Sequence, residues 1–180
     1  SYSLLQPNIY QSNALLSPME SRGGLSNALG NYSGIATKAG INIPSQDSDS
    51  NAVKSIEKLK SLSFFSENIL PNIFLPDLMA IKSWDSASNI ISYDEDIYDS
   101  SEQLWVRDFQ YPQNQVPSAQ EAFKIFMNEH LNVDKDIDTG FVTISIKHQS
   151  PFIAKNWTEV IVDQINDFYR IKDKAEAEAA

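Results

Sequence analysis

Apolar and polar residues change rhythm along this chain, and each rhythm predicts an element. From Phe141 to His148 they alternate, Val142, Ile144 and Ile146 on one side and Thr143, Ser145 and Lys147 on the other. That is the period of a strand with one face buried. Ser150-Pro151 follows, an N-cap and then a proline at the first helical position, where a missing N–H leaves no bond unmade. Ile153, Trp157, Val160, Ile161, Ile165 and Phe168 then recur at helical spacing, so a long amphipathic helix is predicted towards Ala180. Upstream, Ser118-Ala119-Gln120-Glu121 reads as a capping box. It opens a helix over 119–131 that buries Ala122, Phe123, Phe126 and Met127, and Asp138-Thr139-Gly140 predicts a turn before the strand.

The first half is less regular. Ile9 to Leu16, between Pro7 and Pro18, suits a strand. Gly23 to Ala36 carries Leu25, Leu29, Tyr32 and Ile35 at helical spacing among glycines, which predicts a loose helix or helix-turn. Ser45 to Asn51 is polar and loop-like. Asn51 to Leu62 places Val53, Ile56, Leu59 and Leu62 on one helical stripe. Phe64 to Leu70 predicts a second short helix stopped by Pro71. The stretch from Asp77 to Pro117 mixes Trp84, Tyr93, Tyr98, Trp105, Phe109 and Tyr111 with many polar residues. A long packed excursion is expected there, with one short helix near 77–81. No internal repeat is visible.

Composition narrows the function classes. With 180 residues, a length that predicts one domain, the chain carries 24 acidic and 14 basic residues and a formal net charge of −10. That balance argues against a nucleic-acid partner, which needs a basic patch for counterion release. It argues equally against a purely electrostatic grip on anionic lipid. There is no cysteine, hence no disulfide, thiolate nucleophile or Cys-ligated zinc; an oxidising compartment such as the periplasm suits such a chain without being required. No apolar run approaches the roughly 18 residues of a membrane helix, and no signal-peptide pattern opens the sequence. The last residues, Lys172 to Ala180, stop in mid-helix without a C-cap, so a cut end and a fragment of a longer chain are expected.

Few residues suggest chemistry. Asp47-Ser48-Asp49-Ser50-Asn51 opens like a calcium loop. Ala52 stands where glycine is needed and Lys58 where the closing glutamate belongs, so a solvated loop is the better reading. Asp94-Glu95-Asp96 with Asp99, flanked by Tyr93 and Tyr98, forms a second acidic knot. Paired carboxylates beside aromatic faces can serve a glycosidase, but nearness in sequence does not set their separation, and a solvated acidic loop is preferred. His130 and His148 fall in different elements without HExxH spacing. His130 suits a helix C-terminus and His148 a strand end, and both are expected to be structural. There is no G-x-S-x-G elbow and no phosphate-binding P-loop. Gly30 and Gly34 match a small-residue packing spacing that acquires force in a lipid-buried helix. No catalytic, cofactor-binding or metal-binding residue is therefore assigned.

Several segments in order resemble the chain-length determinant (Wzz-type) polysaccharide co-polymerases of bacterial inner membranes. They are Pro7-Asn8-Ile9-Tyr10-Gln11-Ser12-Asn13-Ala14-Leu15-Leu16-Ser17-Pro18, the Gly23-Gly24-Leu25-Ser26 run with Gly34-Ile35-Ala36, and Ala39-Gly40-Ile41. The likeness continues through Leu78 to Asp85 and Tyr93 to Asp99. It is most specific over Thr139 to Pro151, with Ile153-Ala154-Lys155 and Trp157 after it. The resemblance spans nearly the whole chain.

The resemblance implies an α+β fold: a two-layer, membrane-proximal domain with a mixed sheet packed on helices, truncated at the start of a long C-terminal helix. Residues 1–171 would be the periplasmic base domain and 172–180 the start of that helix. Ser1 to Gln6 would lie close to the bilayer, and the distal helices, a returning segment and both membrane helices would lie outside this sequence. The implied function is non-enzymatic, with no cofactor. A homo-oligomer would set the modal length of lipopolysaccharide O-antigen, working with an integral-membrane polymerase on an undecaprenyl-linked glycan. Gly23 to Ala36 is expected to pack against a neighbouring subunit or the base, so that a bulky residue at Gly34 would disturb assembly. The alternative is the periplasmic domain of a capsule or exopolysaccharide exporter with a cytoplasmic tyrosine-kinase domain. A third reading is an unrelated glycan-active enzyme using the Asp94 to Asp99 knot.

Overall fold

The alternation of Val142, Ile144 and Ile146 becomes the central strand of a three-stranded sheet. The computed structural model describes residues 7–16 and 56–179. In chain order these give β1 (Tyr10–Leu16), α1 (Leu62–Phe64), α2 (Leu75–Met79), β2 (Ile81–Asp85), β3 (Ile90–Tyr93), β4 (Tyr98–Asp99) and β5 (Leu104–Trp105). There follow α3 (Ala119–Ile125), β6 (Leu131–Lys135), β7 (Val142–His148) and α4 (Pro151–Ala179). The main sheet has the order β1-β7-β6, with Tyr10 opposite His148, Leu16 opposite Val142 and Leu131 opposite Ile146. Two small hairpins, β2-β3 and β4-β5, stand apart from it.

The fold is α+β, with antiparallel sheets packed against helices. Every strand pairing among the described residues is antiparallel, where a mixed sheet was expected. The connection explains it for β6 and β7, since strands joined by a tight turn can pair in no other sense. Asp136 builds that turn, its Oδ1 accepting from the Asp138 and Thr139 amides at 2.8 and 3.0 Å. Gly140 completes it at φ 72°, a conformation that a side chain would oppose.

The helices form where their caps and apolar stripes predict. Ser118 Oγ accepts from the Glu121 amide while the Glu121 carboxylate accepts from the Ser118 amide, so the capping box is complete. α3 then passes into a π-helical turn, Phe126–His130, whose last bonds deliver the chain into β6. Ala122 and Phe126 are buried, and Phe123 and Met127 pack on them. α1 likewise runs into a π-helical turn, Phe65–Ile69, and a 3-10 turn, Leu70–Asn72, that contains Pro71. The helix thus continues through the proline expected to stop it. Residues 56–59 are helical with Leu59 buried. The expected elements at 23–36 and 45–51, and the start of the helix predicted from Asn51, lie outside the described residues.

One continuous core joins these pieces. Phe64, Phe65 and Ile69 meet Ala122 and Phe126, and these meet Ile144, Ile146, Trp157 and Ile161. Each large side chain so buried contributes about 1.5–3 kcal/mol relative to exposure. α4 supplies Ala154, Trp157, Ile161 and Ile165 from one face. Its 29 residues span about 43 Å at 1.5 Å per residue, against about 24 Å for the 7 residues of β7. The helix therefore overruns the sheet. Among the described residues its last buried position is Ile165, and Ile171 is 68% exposed.

Candidate functional site

The segment from Asp77 to Pro117, expected to be irregular, is built from two hairpins turned by side chains. Asn89 and Gln103 take φ of 55° and 56° at the two turns, a region that asparagine tolerates better than most residues. Asn89 Oδ1 accepts from the Trp84 indole at 2.8 Å. Trp84 in turn lies edge-on to Tyr10, centroids 5.4 Å apart, and 6.4 Å from Phe152. The first hairpin is thereby held against the start of β1 and the start of α4.

The carboxylates of Asp94, Glu95 and Asp99 in the acidic knot are spent on these turns. Asp94 Oδ1 accepts from the Asp96 amide at 3.1 Å, and Glu95 Oε1 accepts from Ser100 Oγ at 2.8 Å. Asp99 Oδ1 accepts from the Ser101 amide, its hydroxyl and the Glu102 amide at 2.9, 2.7 and 3.0 Å. These bonds hold the Asp99 carboxyl below the usual carboxylate range. Tyr93 and Tyr98 meet edge-on at 5.6 Å, and Tyr98 meets Trp105 at 5.2 Å. The aromatic neighbours of the knot therefore form a packed cluster of their own. Among the described residues no group of three or more His, Asp or Glu side chains converges as a metal site. The calcium-like segment Asp47 to Asn51 lies outside them.

The histidines are brought together, which their positions in sequence did not reveal. β6 and β7 pair so that the end of the π-helical turn lies beside the end of β7. The His130 and His148 rings stack there, centroids 5.6 Å apart and planes 29° from parallel. Trp157, buried to 1% exposure, closes edge-on against both, at 5.2 and 5.0 Å. His148 receives the Ser150 amide on Nδ1 at 2.9 Å. A nitrogen that accepts carries no proton, so its Nε2–H donates to the Asp77 carbonyl at 3.1 Å. His130 donates from Nδ1 to the Lys147 carbonyl at 2.7 Å.

Burial sets the charge state of this cluster. Desolvation, aided by the neighbouring His130, pushes His148 down to about 4, and it lowers His130 as well. Asp77 is raised by burial, and its Oδ1 accepts from the Tyr93 hydroxyl at 2.6 Å. At neutral pH both imidazoles are uncharged and tie α2, β7 and the head of α4 into one unit. The strand-cap-helix pattern places only His148 and Trp157 in adjoining elements; His130 joins them through the β6–β7 pairing.

A separate groove of about 590 Å³ runs between β1 and α4, lined by Ser12, Asn13 and Ala14 from the strand and by Lys155, Thr158 and Asp163 among others from the helix. It is polar on the helix side, where Lys155 Nζ lies 3.5 Å from Glu159 Oε1. No helix among the described residues is long and apolar enough to cross a membrane. Comparison with protein-family models, with curated proteins and with solved structures finds no match to this chain.

Proposed function

We propose that this chain is the periplasmic base of a non-enzymatic regulator of polysaccharide chain length. It acts in a homo-oligomer at the bacterial inner membrane, beside an integral-membrane O-antigen polymerase that extends an undecaprenyl-linked glycan. The reading rests on the resemblance from Pro7 to Trp157, and one structural relationship supports it. Tyr10 pairs with His148, so β1 begins at the end of the sheet where α4 also begins. α4 then runs back along β1, with Ser12 to Ala14 flanking Lys155 to Asp163, and overruns the far end. A chain that rises from a membrane through residues 7–10 would therefore send its long helix away from that membrane.

Topology and assembly are directly testable on the full-length protein. Protease added to spheroplasts should cut within residues 7–179 while intact cells protect them, and cross-linking should give species larger than a dimer. Protection in spheroplasts, or a product no larger than monomer, contradicts the proposal. A P-loop region following this domain in the full gene would move the reading to the kinase-linked exporter.

A further inference from the structure

We propose that the His130–His148–Trp157 stack is an acid-operated latch, in which proton uptake on the imidazoles releases α2 and its hairpin from the head of α4. The hydrogen-bond pattern carries the inference. His148 has no vacant nitrogen: Nε2–H is committed to the Asp77 carbonyl and Nδ1 receives the Ser150 amide. A proton can enter only at Nδ1. There it sets N–H against the Ser150 N–H and removes the acceptor of that amide, at the cap of α4. His130 differs, because its Nδ1–H keeps the Lys147 carbonyl while a proton enters at Nε2.

The surroundings decide how strongly the charge is resisted. From α2 the cluster meets Asp77, whose carboxyl is bonded to Tyr93 of β3. From the π-helical turn it meets His130 and Glu129, the latter favouring a charged His130. β7 contributes Lys147, and Tyr10 of β1 stands opposite His148 in the register. α4 offers Trp157 and the Ser150 amide, neither of which titrates in this range. One imidazole charged at 5.6 Å from the other opposes charging of the second. Among the described residues no partner neutralises the buried His148 ring, and relief comes from opening.

What opens follows from the attachments. The His148–Asp77 bond joins residues 71 apart in sequence, and α2 leads directly into β2-β3. Protonation breaks the Ser150 tie first, and the ring, still bonded through Nε2–H to the Asp77 carbonyl, parts with α2 and its hairpin from the cap of α4, leaving that hairpin held by the Tyr10–Trp84–Phe152 contacts.

Hydrogen-exchange mass spectrometry of the purified chain from pH 7.5 to 4 tests this. Protection factors, which correct for the intrinsic pH dependence of exchange, should fall at least tenfold together in peptides covering 75–94 and 150–158, and recover on return to neutral pH. His148→Gln keeps one donor and one acceptor on a side chain that does not titrate, and it should abolish the transition. Wild-type protection unchanged down to pH 4, or the same transition in His148→Gln, overturns the latch. Should that variant fail to fold, carbon-edited NMR of the wild type decides. His148 titrating well below His130 together with a shift of the Trp157 indole supports the latch, and titration at the ordinary histidine value overturns it.

Discussion

Arg107 Nη1 lies 2.8 Å from Glu121 Oε1, and its Nε and Nη2 also donate to the carbonyls of Gln115 and Asn114 at 3.0 and 2.6 Å. One guanidinium thus closes the loop between β5 and α3 and fastens it to the capping glutamate. Arg107→Met removes a charge-assisted network and leaves two carbonyls to find water. It should cost about 2 kcal/mol, measured by urea denaturation, with faster exchange confined to 106–117.

The same pair predicts an acid dependence. Hydrogen bonds from Arg107 hold Glu121 down to about 2 from an ordinary 4.5. A depressed carboxylate contributes stability that is present above 4.5 and lost as pH falls towards 2. The difference in urea midpoint between wild type and Arg107→Met should therefore shrink from pH 5 to pH 2.5. A difference that stays constant contradicts the ion-pair explanation.

His148 has its own window. Its folded value of about 4 lies below the unfolded 6.5, so the unfolded chain binds more protons between them. Stability falls as pH drops from 6.5 to 4, by about 3 kcal/mol if opening is global and less if it is local. Asp77, raised by burial, acts in the opposite sense, its contribution falling as pH rises above the ordinary carboxylate value. Replacing it by asparagine should steepen the net acid loss, read from urea midpoints at pH 4, 5 and 6.5.

Ser118→Ala deletes the cap of α3. About 1 kcal/mol should be lost, with amides of residues 119–121 exchanging faster while β7 stays protected.

Two isoleucines on α4 separate the supported helix from its overhang. Ile161 is fully buried and Ile171 is 68% exposed. Ile161→Ala should cost about 2–5 kcal/mol, whereas Ile171→Ala should change stability by less than about 0.5 kcal/mol. Equal costs in thermal or urea unfolding would mean that something covers the distal turns.

Strongly patterned elements were legible and weakly patterned ones were not. β7 and α4 could be read because Val142, Ile144 and Ile146 alternate cleanly and Ser150-Pro151 marks the join. β6 was missed because Leu131 and Val133 supply only two inward positions, and the helical reading of α3 ran into them. The two hairpins were missed for another reason: Ile81–Asp85 and Ile90–Tyr93 are largely exposed, Tyr98–Asp99 and Leu104–Trp105 are only two residues each, and the turns rest on Asn89 and Gln103 rather than on glycine. Pro71 did not stop its helix, because proline is tolerated at the start of the 3-10 turn that holds it. The histidine stack depends on tertiary register, Leu131 against Ile146, which local spacing cannot reveal.

The proposed role is tested most directly on cells. The full-length gene would be deleted and the surface polysaccharide resolved on a gel beside the complemented strain. The chain-length reading predicts that the modal ladder collapses into a short, unregulated distribution and returns on complementation. Loss of capsule or secreted polymer with an intact ladder would favour the exporter instead. A profile unchanged in both respects would contradict both readings and return attention to the carboxylates between Asp94 and Asp99.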